Sequence, residues 1–228
     1  MDERYRHELK FQISPADYLA IRQRISPLMQ KDPHIRADGL YLIRSIYFDN
    51  FDDKALREKV NGVAVREKFR IRYYNDDFSY ITLEKKIKHN NLCRKEGAPI
   101  SIADYSAILS GRTDFLNEQS PALVKELCHK MQTEMLRPKV MVSYVREPYI
   151  CRAGNVRVTF DSCIRTSMFR QDFLESKIHD VSATECPQDI ILEVKYDAFL
   201  PEVIADLLHL DSIRQQAFSK YGACRKYG

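Results

Sequence analysis

Basic side chains recur at every second position along several segments of the sequence. Lys68, Arg70 and Arg72 alternate with apolar residues, and Lys86 and Lys88 do the same further along the chain. In a β-strand, alternate side chains lie on opposite faces, so each segment predicts one basic and one apolar face. Like charges on neighbouring strands repel, and a bound polyanion offsets that repulsion. The pattern indicates a site for phosphate, to which Arg offers a planar pair of donors and Lys a compact charge.

Four acidic residues are predicted to lie on the same strand faces as these bases: Glu8, Glu84, Asp161 and Glu193. Two interpretations stay open at this point. The acids neutralise neighbouring bases in salt bridges, or one or two of them hold a divalent cation that also contacts phosphate oxygens. Hard cations bind carboxylate oxygen and complete their coordination with water and substrate phosphates.

The same alternation predicts an antiparallel sheet with helices between its strands. Hairpin turns are predicted at residues 60–63, 74–78 and 152–155, where turn-forming residues occur. Helix starts are indicated at Ser14, Ser101, Ser120 and Pro201 by N-capping residues or proline, and a further helix is predicted over residues 212–220. The predicted strands are residues 4–11, 42–48, 65–74, 78–88, 140–146, 156–161 and 190–196.

The composition is that of a globular domain. Of the 228 residues 44% are apolar, and only 7 Gly and 9 Pro are present, so one domain over residues 1–228 with no long linker is predicted. The N-terminus has no apolar run, and no stretch approaches the roughly 20 apolar residues that cross a bilayer. We expect a soluble, cytoplasmic protein with no membrane segment of its own.

Several classes of function are disfavoured. The six cysteines form no CxxC pair, which predicts free thiols in a reducing compartment. Neither a GxxxxGK[ST] nor a GxGxxG motif is present, so a nucleotide would be held by side chains. The net charge of +4 is small, and most Tyr and Phe are predicted on the strand faces opposite the bases. A nucleic-acid binder would interleave stacking aromatics with an exposed basic patch, so nucleic acid is not an expected partner.

A series of motifs resembles the VTC branch of the CYTH-like, triphosphate tunnel superfamily, to which VTC-type polyphosphate polymerase domains belong. Residues 6–11 resemble its RxExK opening, and residues 45–49 are similar to its S-x-Y-F-D strand. Residues 68–73 and 83–88 resemble its K-x-R-x-R and LE-x-K-x-K strands. Residues 138–139, 144–146, 157–161, 192–195 and 219–221 continue the same order, so the resemblance covers nearly the whole chain.

The resemblance implies an α+β fold built on a closed antiparallel β-tunnel of about eight strands, with a basic interior and helices packed outside. It implies an enzyme that uses Mn²⁺ or Mg²⁺ and transfers the γ-phosphoryl group of ATP to a growing polyphosphate chain. Such a transfer needs positioning and charge stabilisation more than covalent work by the protein. ATP and inorganic polyphosphate are the expected ligands.

Most of the residues that the resemblance implies for the site are basic. Catalytic roles are implied for Arg70, Arg72 and Lys195, and metal binding for Glu193 with Glu8 as a second ligand. Taken with the strand pattern, the predicted phosphate-binding residues are Lys10, Lys68, Arg70, Arg72, Lys86, Lys88, Lys139, Arg146, Arg157, Lys195, Ser219 and Lys220.

The sequence departs from the wider superfamily at one position. Triphosphatases and cyclases of the superfamily carry an ExExK opening, and Arg6 replaces its first acid here, which argues against those activities. Fungal relatives add a regulatory domain and membrane helices that this sequence lacks, so a separate membrane partner is one expectation and action without export another. Two alternatives stay open: a tripolyphosphate or nucleoside triphosphate hydrolase in which Glu8 or Glu84 activates water, and a non-catalytic polyphosphate or nucleotide sensor.

Overall fold

A computed structural model of the chain describes residues 5–33, 35–90, 92–168, 178–186, 188–209, 213, 215 and 218–227. The strands are β1 Arg6–Ile13, β2 Gln30–Lys31, β3 Tyr41–Asp49, β4 Val65–Tyr74, β5 Asp77–His89, β6 Leu92–Ile100, β7 Arg137–Cys151, β8 Val156–Ser167, β9 Val181–Ser182 and β10 Ile190–Tyr196. The helices are α1 Pro15–Ile25, α2 Lys54–Val60, α3 Ile102–Leu109, α4 Ala122–Thr133, α5 Glu202–Leu208 and α6 Lys220–Tyr227.

Eight of the strands close into a ring. Their order is β7-β3-β4-β5-β6-β1-β10-β8, and β8 pairs back with β7. All of these pairings are antiparallel. The short strand β2 pairs with β7 beyond the end of β3, and β9 pairs with β8 beyond the end of β10. The closed antiparallel tunnel expected from the sequence is therefore confirmed. The shortest pairing in the ring joins β1 to β6, where only Arg6 with Cys93 and His7 with Leu92 are in register.

Local sequence signals explain where the outer helices begin. Ser14 and Ser101 each accept a hydrogen bond from the backbone N–H of an aspartate three residues later, and that aspartate bonds back to the N-cap residue. Such reciprocal capping satisfies two backbone donors that a helix start would otherwise leave without partners. Pro121, one residue after the predicted start at Ser120, precedes α4, and Pro201 precedes α5 as predicted.

The apolar strand faces pack under the helices, as the alternation predicted. Phe69, Ile71 and Leu83 on β4 and β5 are buried together with Leu127 and Met131 of α4. A second core forms where apolar residues of β1, β8 and β10 pack against α1 and α5. The core thus lies outside the ring, and the opposite strand faces are directed into the tunnel.

Helix α6 packs differently from the other helices. Its Tyr221 and Cys224 are buried in a third apolar cluster with Ile43 of β3 and Val140 and Val142 of β7. Alternate residues lie on the same face of a strand, so Ile43 shares its face of β3 with Ser45 and Tyr47. These two side chains contact Arg72 and Arg70, which lie on the inner face of the ring. Helix α6 therefore contacts the inner face of the ring and fills part of the tunnel on the β3 and β7 side.

Some predicted elements were wrong. Residues 60–63 are the end of α2 and the chain that follows it, not a hairpin, and neither α2 nor β6 was predicted. Strand β6 contains Gly97 and Pro99, which lower the strand signal of its sequence. The helix predicted over residues 212–220 is also wrong for the residues of this range that the structure describes. Gln215 forms an isolated β-bridge with Phe11, and α6 begins only at Lys220. Residues 210–212, 214 and 216–217 lie outside the described residues, as does Arg4.

Within the described part of the chain, no helix is both long and apolar enough to cross a membrane.

Candidate functional site

The register of the ring brings most of the predicted phosphate-binding residues together on its inner face. Directly opposed residues of an antiparallel pair have their side chains on the same side of the sheet. In some of these pairs a base is opposite an acid, and in others two bases are opposite each other. The opposed positions are Glu8–Lys195, Lys10–Glu193, Arg66–Lys88, Lys68–Lys86, Arg70–Glu84, Arg72–Thr82, Lys86–Lys95 and Arg146–Asp161.

Glu84 is the counterion for the two predicted catalytic arginines. Arg70 donates from Nε and Nη2 to its Oε2 at 2.7 and 2.6 Å, and Arg72 Nη1 lies 3.8 Å from the same oxygen. Lys95 donates to Oε1 at 3.0 Å. Burial by itself would raise the pKa of Glu84, but Arg70 and Arg72 hold it well below its usual range. Both oxygens of this ionised carboxylate are therefore occupied by cations.

Glu8 and Glu193 form a second group, with three lysines around them. Both oxygens of Glu8 accept hydrogen bonds from Lys86 Nζ at 2.8 Å. Lys195 Nζ lies 3.3 Å from Glu193 and 3.6 Å from Glu8, and Lys10 Nζ lies 3.8 Å from each. Burial opposes ionisation of both acids, yet these ammonium groups lower the pKa of each carboxyl. The negative charge of Glu193 acts in the opposite direction and raises the pKa of Glu8.

Asp161 anchors a third group at the base of α6. Arg146 donates to its two oxygens at 2.6 and 2.7 Å, and Lys220 Nζ lies 2.5 Å from Oδ2. Arg146 Nη2 also reaches Glu193 Oε2 at 3.0 Å, so the second and third groups are joined. Asp161 is fully buried, and Arg146 and Lys220 lower its pKa against that burial. All four acids of the inner face therefore take part in ion pairs, which is the first of the two interpretations that the sequence left open.

Two tyrosines of the tunnel wall complete the contacts of the arginines. Tyr47 OH accepts a hydrogen bond from Arg70 Nη1 at 2.9 Å, and Tyr144 OH accepts one from Arg72 Nη2 at 3.1 Å. Lys220 Nζ lies 4.8 Å from the centre of the Tyr144 ring. Both residues fall within the motifs of the family resemblance, but the sequence analysis assigned neither a place in the site. Their hydroxyl groups fix the planes of the guanidinium groups on the inner face.

At the end of β4 and β5 nearest α6, bases face each other. Arg66 is opposite Lys88 and Lys68 is opposite Lys86. Lys68 Nζ lies 4.8 Å from the centre of the Tyr221 ring. Burial lowers the pKa of Lys68 to about 7, and the charge of Arg66 acts in the same direction. Burial also lowers the pKa of Lys88. Of the four bases at this end, Lys86 is bound by Glu8.

Two predicted residues have other structural partners. Lys139 Nζ lies 3.3 Å from Asp53 at the start of α2, where Arg225 of α6 binds as well, and no described tunnel acid contacts it. Ser219 Oγ accepts a hydrogen bond from the backbone N–H of Gly222 and so caps α6. The structure therefore does not bring Lys139 into the cation groups of the inner face, while Ser219 lies beside Lys220.

Two further bases of the inner strand faces form ion pairs with acids outside the three groups. Arg157 is in register with Lys195 and binds Asp32 through Nη2 at 3.0 Å. Arg6, the residue that replaces an acid of the superfamily motif, lies 2.7 Å from Asp197 and also donates to the Asn155 carbonyl. Arg6, which departs from the motif described in the sequence analysis, is thus held in an ion pair.

Lys95 is the main inner-face base that the sequence analysis missed. It lies on β6, directly opposite Lys86, and binds Glu84. The prediction lacked β6 itself, so the alternation of Lys95 with its neighbours was not used. The signal was nonetheless present, because Cys93, Lys95 and Gly97 occupy one face of the strand in register with the bases and acid of β5.

The carboxylates of Glu8 and Glu193 suit a hard divalent cation. They lie next to each other on the paired strands β1 and β10, and each presents oxygen donors to the tunnel. No group of three or more His, Cys, Asp or Glu side chains that could hold a metal ion occurs among the described residues. A cation held by two carboxylates would complete its coordination with water and phosphate oxygens, which is usual for Mg²⁺.

Comparison with known proteins agrees with this architecture. A protein from Bacillus halodurans, provisionally named an adenylate cyclase, superimposes with a TM-score of 0.56 at 17% identity, over 96% of each chain. A protein from Vibrio parahaemolyticus with the same provisional name gives a TM-score of 0.50 at 8% identity, over 97% of this chain and 98% of that one. These likenesses show the fold alone. No curated protein matches the sequence significantly. The model of the VTC domain family matches residues 5–227, and the chain therefore belongs to the VTC domain family.

Proposed function

We propose that this protein is a metal-dependent polyphosphate polymerase that transfers the γ-phosphoryl group of ATP to a growing polyphosphate chain inside the tunnel. The observation that carries the proposal is the convergence of buried or half-buried cations on the inner face of a closed ring of strands. A polymer can pass along such a tunnel while only its end reacts. Membership of the VTC domain family supports a domain that acts on triphosphate or polyphosphate.

Arg70, Arg72 and Lys195 are proposed as the catalytic cations. A phosphoryl group in transfer spreads negative charge over its oxygens, and fixed positive charges in a water-poor site stabilise that charge. Glu84 and the hydroxyl groups of Tyr47 and Tyr144 hold the two guanidinium groups in place before any ligand arrives. Substrate oxygens then replace the acids as partners of these cations, without a large rearrangement of the strands.

The remaining bases of the inner face are proposed to bind the other phosphates. Lys10, Lys86 and Lys195 surround Glu8 and Glu193, and Arg146 and Lys220 surround Asp161. Glu193 and Glu8 are proposed to hold Mn²⁺ or Mg²⁺. When bound, the ion supplies positive charge between phosphate oxygens and lowers repulsion between them. Its binding to the two carboxylates would also free the lysine ammonium groups for phosphate.

We further propose that residues 1–228 form one domain and that the protein works in the cytoplasm, alone or with a separate membrane partner. Its proposed ligands are ATP and inorganic polyphosphate, and nucleic acid is not among them. In the described chain, the acids proposed as bases in a hydrolase have both oxygens bound: Glu84 by Arg70 and Lys95, and Glu8 by Lys86. A hydrolase would need one of these carboxylates to exchange a base for a water molecule, and the products formed from ATP distinguish it from the polymerase.

The proposed function is tested by incubating the protein with ATP and Mn²⁺ and separating the products on a gel stained for polyphosphate, with free phosphate and ADP assayed in parallel. The proposal predicts a ladder of long chains and a matching amount of ADP. Free phosphate without a ladder would show a hydrolase. Bound ATP with neither product would show a sensor, and either result would contradict the polymerase.

The metal proposal has its own prediction. Glu193→Gln keeps the size of the side chain but removes the charge that attracts a divalent cation, so metal-stimulated turnover should fall by at least about 100-fold. Affinity for tripolyphosphate without metal should fall less than about threefold, since the lysines remain. Glu118→Gln, at an exposed position after α3, is the matched control. Full metal-stimulated turnover by Glu193→Gln would show that the metal is held elsewhere.

A further inference from the structure

Thr159 carries a buried hydroxyl group on the tunnel wall. It alternates along β8 with Arg157 and Asp161 and lies on the inner face of the ring, while Val158 and Phe160 pack in the outer core. Thr159 is only 3% exposed, and its Oγ1 makes no hydrogen bond to any described residue. Buried hydroxyl groups are normally paired, because leaving one without a partner costs free energy. This hydroxyl therefore indicates a partner that belongs to a ligand.

The strand register places this hydroxyl next to the proposed metal ligand Glu193. Thr159 is directly opposite Glu193 in the pairing of β8 with β10. On its other side it is opposite Pro148 of β7, whose side chain has no polar atom. Directly opposed side chains lie on the same side of the sheet with their Cβ atoms about 5 Å apart. This spacing suits a bridge of one small group, such as a water molecule, between the hydroxyl and the surroundings of the carboxylate.

The bases that contact Glu193 can only donate hydrogen bonds. Arg146 Nη2 lies 3.0 Å from Oε2, and the ammonium groups of Lys195 and Lys10 lie 3.3 and 3.8 Å from Oε1. Guanidinium and ammonium groups have no acceptor atom. A water molecule on a divalent cation is itself a donor, so it needs an acceptor oxygen other than the carboxylates that bind the ion. The hydroxyl oxygen of Thr159 is such an acceptor.

We propose that Thr159 is a positioning residue for the divalent cation, because its hydroxyl accepts a hydrogen bond from a water molecule of the ion that Glu193 and Glu8 hold. The proposal rests on the proposed function in taking Mn²⁺ or Mg²⁺ as the ion. Mg²⁺ usually keeps several of its waters, and protein groups around the direct ligands strengthen the binding of a metal. The buried hydroxyl thus gains its partner only when the ion is bound.

The test compares Thr159→Val with Thr159→Ser. Valine has nearly the shape of threonine but no hydroxyl, whereas serine keeps the hydroxyl and loses the methyl group. Titration with Mn²⁺, followed by electron paramagnetic resonance of the free ion, measures metal affinity without any substrate. Thr159→Val should bind Mn²⁺ at least about tenfold more weakly, the usual effect of removing a group that supports a metal site, and Thr159→Ser should stay within about threefold of the wild type.

Thr82→Val is the matched control. Thr82 is also a buried threonine of the inner face, but it is opposite Arg72 and Pro99 and not in register with Glu193. The control should bind Mn²⁺ as the wild type does. Thermal unfolding without metal should show Thr159→Val to be at least as stable as the wild type, because the change removes a buried hydroxyl without a partner. Its affinity for tripolyphosphate without metal should change less than about twofold, since the bases remain.

Unchanged Mn²⁺ affinity of Thr159→Val would overturn the proposal. An equal loss in Thr159→Ser or in Thr82→Val would overturn it as well, by showing an effect of packing. An equal loss of metal-free tripolyphosphate affinity would show that the hydroxyl binds phosphate directly. A wild-type protein that binds no Mn²⁺ would contradict this proposal together with the metal site, whereas one that binds Mn²⁺ but makes no polymer from ATP would contradict the polymerase alone.

Discussion

At the level of single residues, buried acids keep the tunnel cations in place without neutralising all of them. Glu84 binds Arg70 and Lys95 directly and lies near Arg72. Each acid is held ionised by at least two bases, so removing one acid leaves several buried charges without a partner. From the alternation, the sequence predicted which strand face carries most of these bases and acids, but it missed Lys95 and included Lys139, which pairs with Asp53 instead. It left open whether the acids pair with bases or bind a metal, because only the strand register decides which side chains meet.

Glu84→Gln tests this role of a single acid. The variant should lower the free energy of unfolding by about 3 kcal/mol, since breaking a buried ion pair on one side leaves its cations uncompensated. Tripolyphosphate should restore much of that loss, because its oxygens take the place of the carboxylate. Thermal unfolding with and without tripolyphosphate measures both effects, and Glu118→Gln is the control. A variant as stable as the wild type, or one that tripolyphosphate stabilises no more than the wild type, would show that Glu84 does not hold the arginines.

Lys68 gives a prediction on pH. Its pKa is about 7 in the folded protein against 10.5 for the free side chain, because of burial and of Arg66 and Lys86, with Lys59 acting alike and Asp49 opposing. Between about pH 7 and 10.5 the unfolded chain binds more protons here, so this residue's contribution to stability rises with pH across that window. The destabilisation is largest below pH 7.

Lys68→Met should therefore raise the free energy of unfolding by about 1–2 kcal/mol at pH 6, and by less at pH 9. Urea unfolding at the two pH values measures the difference, with Arg24→Met at an exposed position of α1 as control. An equal gain in the free energy of unfolding at both pH values, or a loss at pH 6, would show that the charge of Lys68 does not destabilise the folded protein.

At the level of elements, the strands differ in how firmly the ring holds them. β4 and β5 are paired over most of their length, whereas β1 and β6 share only two opposed positions. Strands with regular alternation were predicted closely: β4 and β10 have the predicted bounds, and β7 and β8 extend further at their ends. β6 was missed because Gly97 and Pro99 interrupt its alternation. α2 was missed because its seven residues make only about two turns, too few to show a helical repeat of apolar residues.

The short pairing of β1 with β6 should be the place where the ring opens most easily. Backbone amides around Arg6 and Leu92 should exchange with deuterium at least about tenfold faster than those in the middle of β4 and β5, since few hydrogen bonds protect them. Hydrogen exchange followed by mass spectrometry compares these peptides in one experiment. Equal protection in both regions would show that this seam is as stable as the rest of the sheet.

At the level of the whole molecule, closure of the sheet turns separate basic strand faces into one site. Each face by itself is compatible with an ordinary solvated sheet, and only the pairing of β8 with β7 directs all of them inward. Family membership and fold were reached from the sequence because its motifs occur in order over nearly the whole chain. The path of α6 could not be predicted, because it depends on apolar contacts with the inner faces of β3 and β7.

The most direct test of the account measures tripolyphosphate binding by the double variant Arg70→Ala with Glu84→Gln. Changing the acid together with the base leaves no buried carboxylate without its partner. Of the other bases that lose Glu84, Lys95 is half exposed and Arg72 keeps the hydroxyl groups of Ser45 and Tyr144, so the fold should persist by circular dichroism. If the inner face of the tunnel binds phosphate, affinity should fall at least about 100-fold, since a charged donor of two hydrogen bonds is lost. Arg24→Ala should bind as the wild type does. A folded double variant with unchanged affinity would contradict the central claim that the tunnel is the phosphate site.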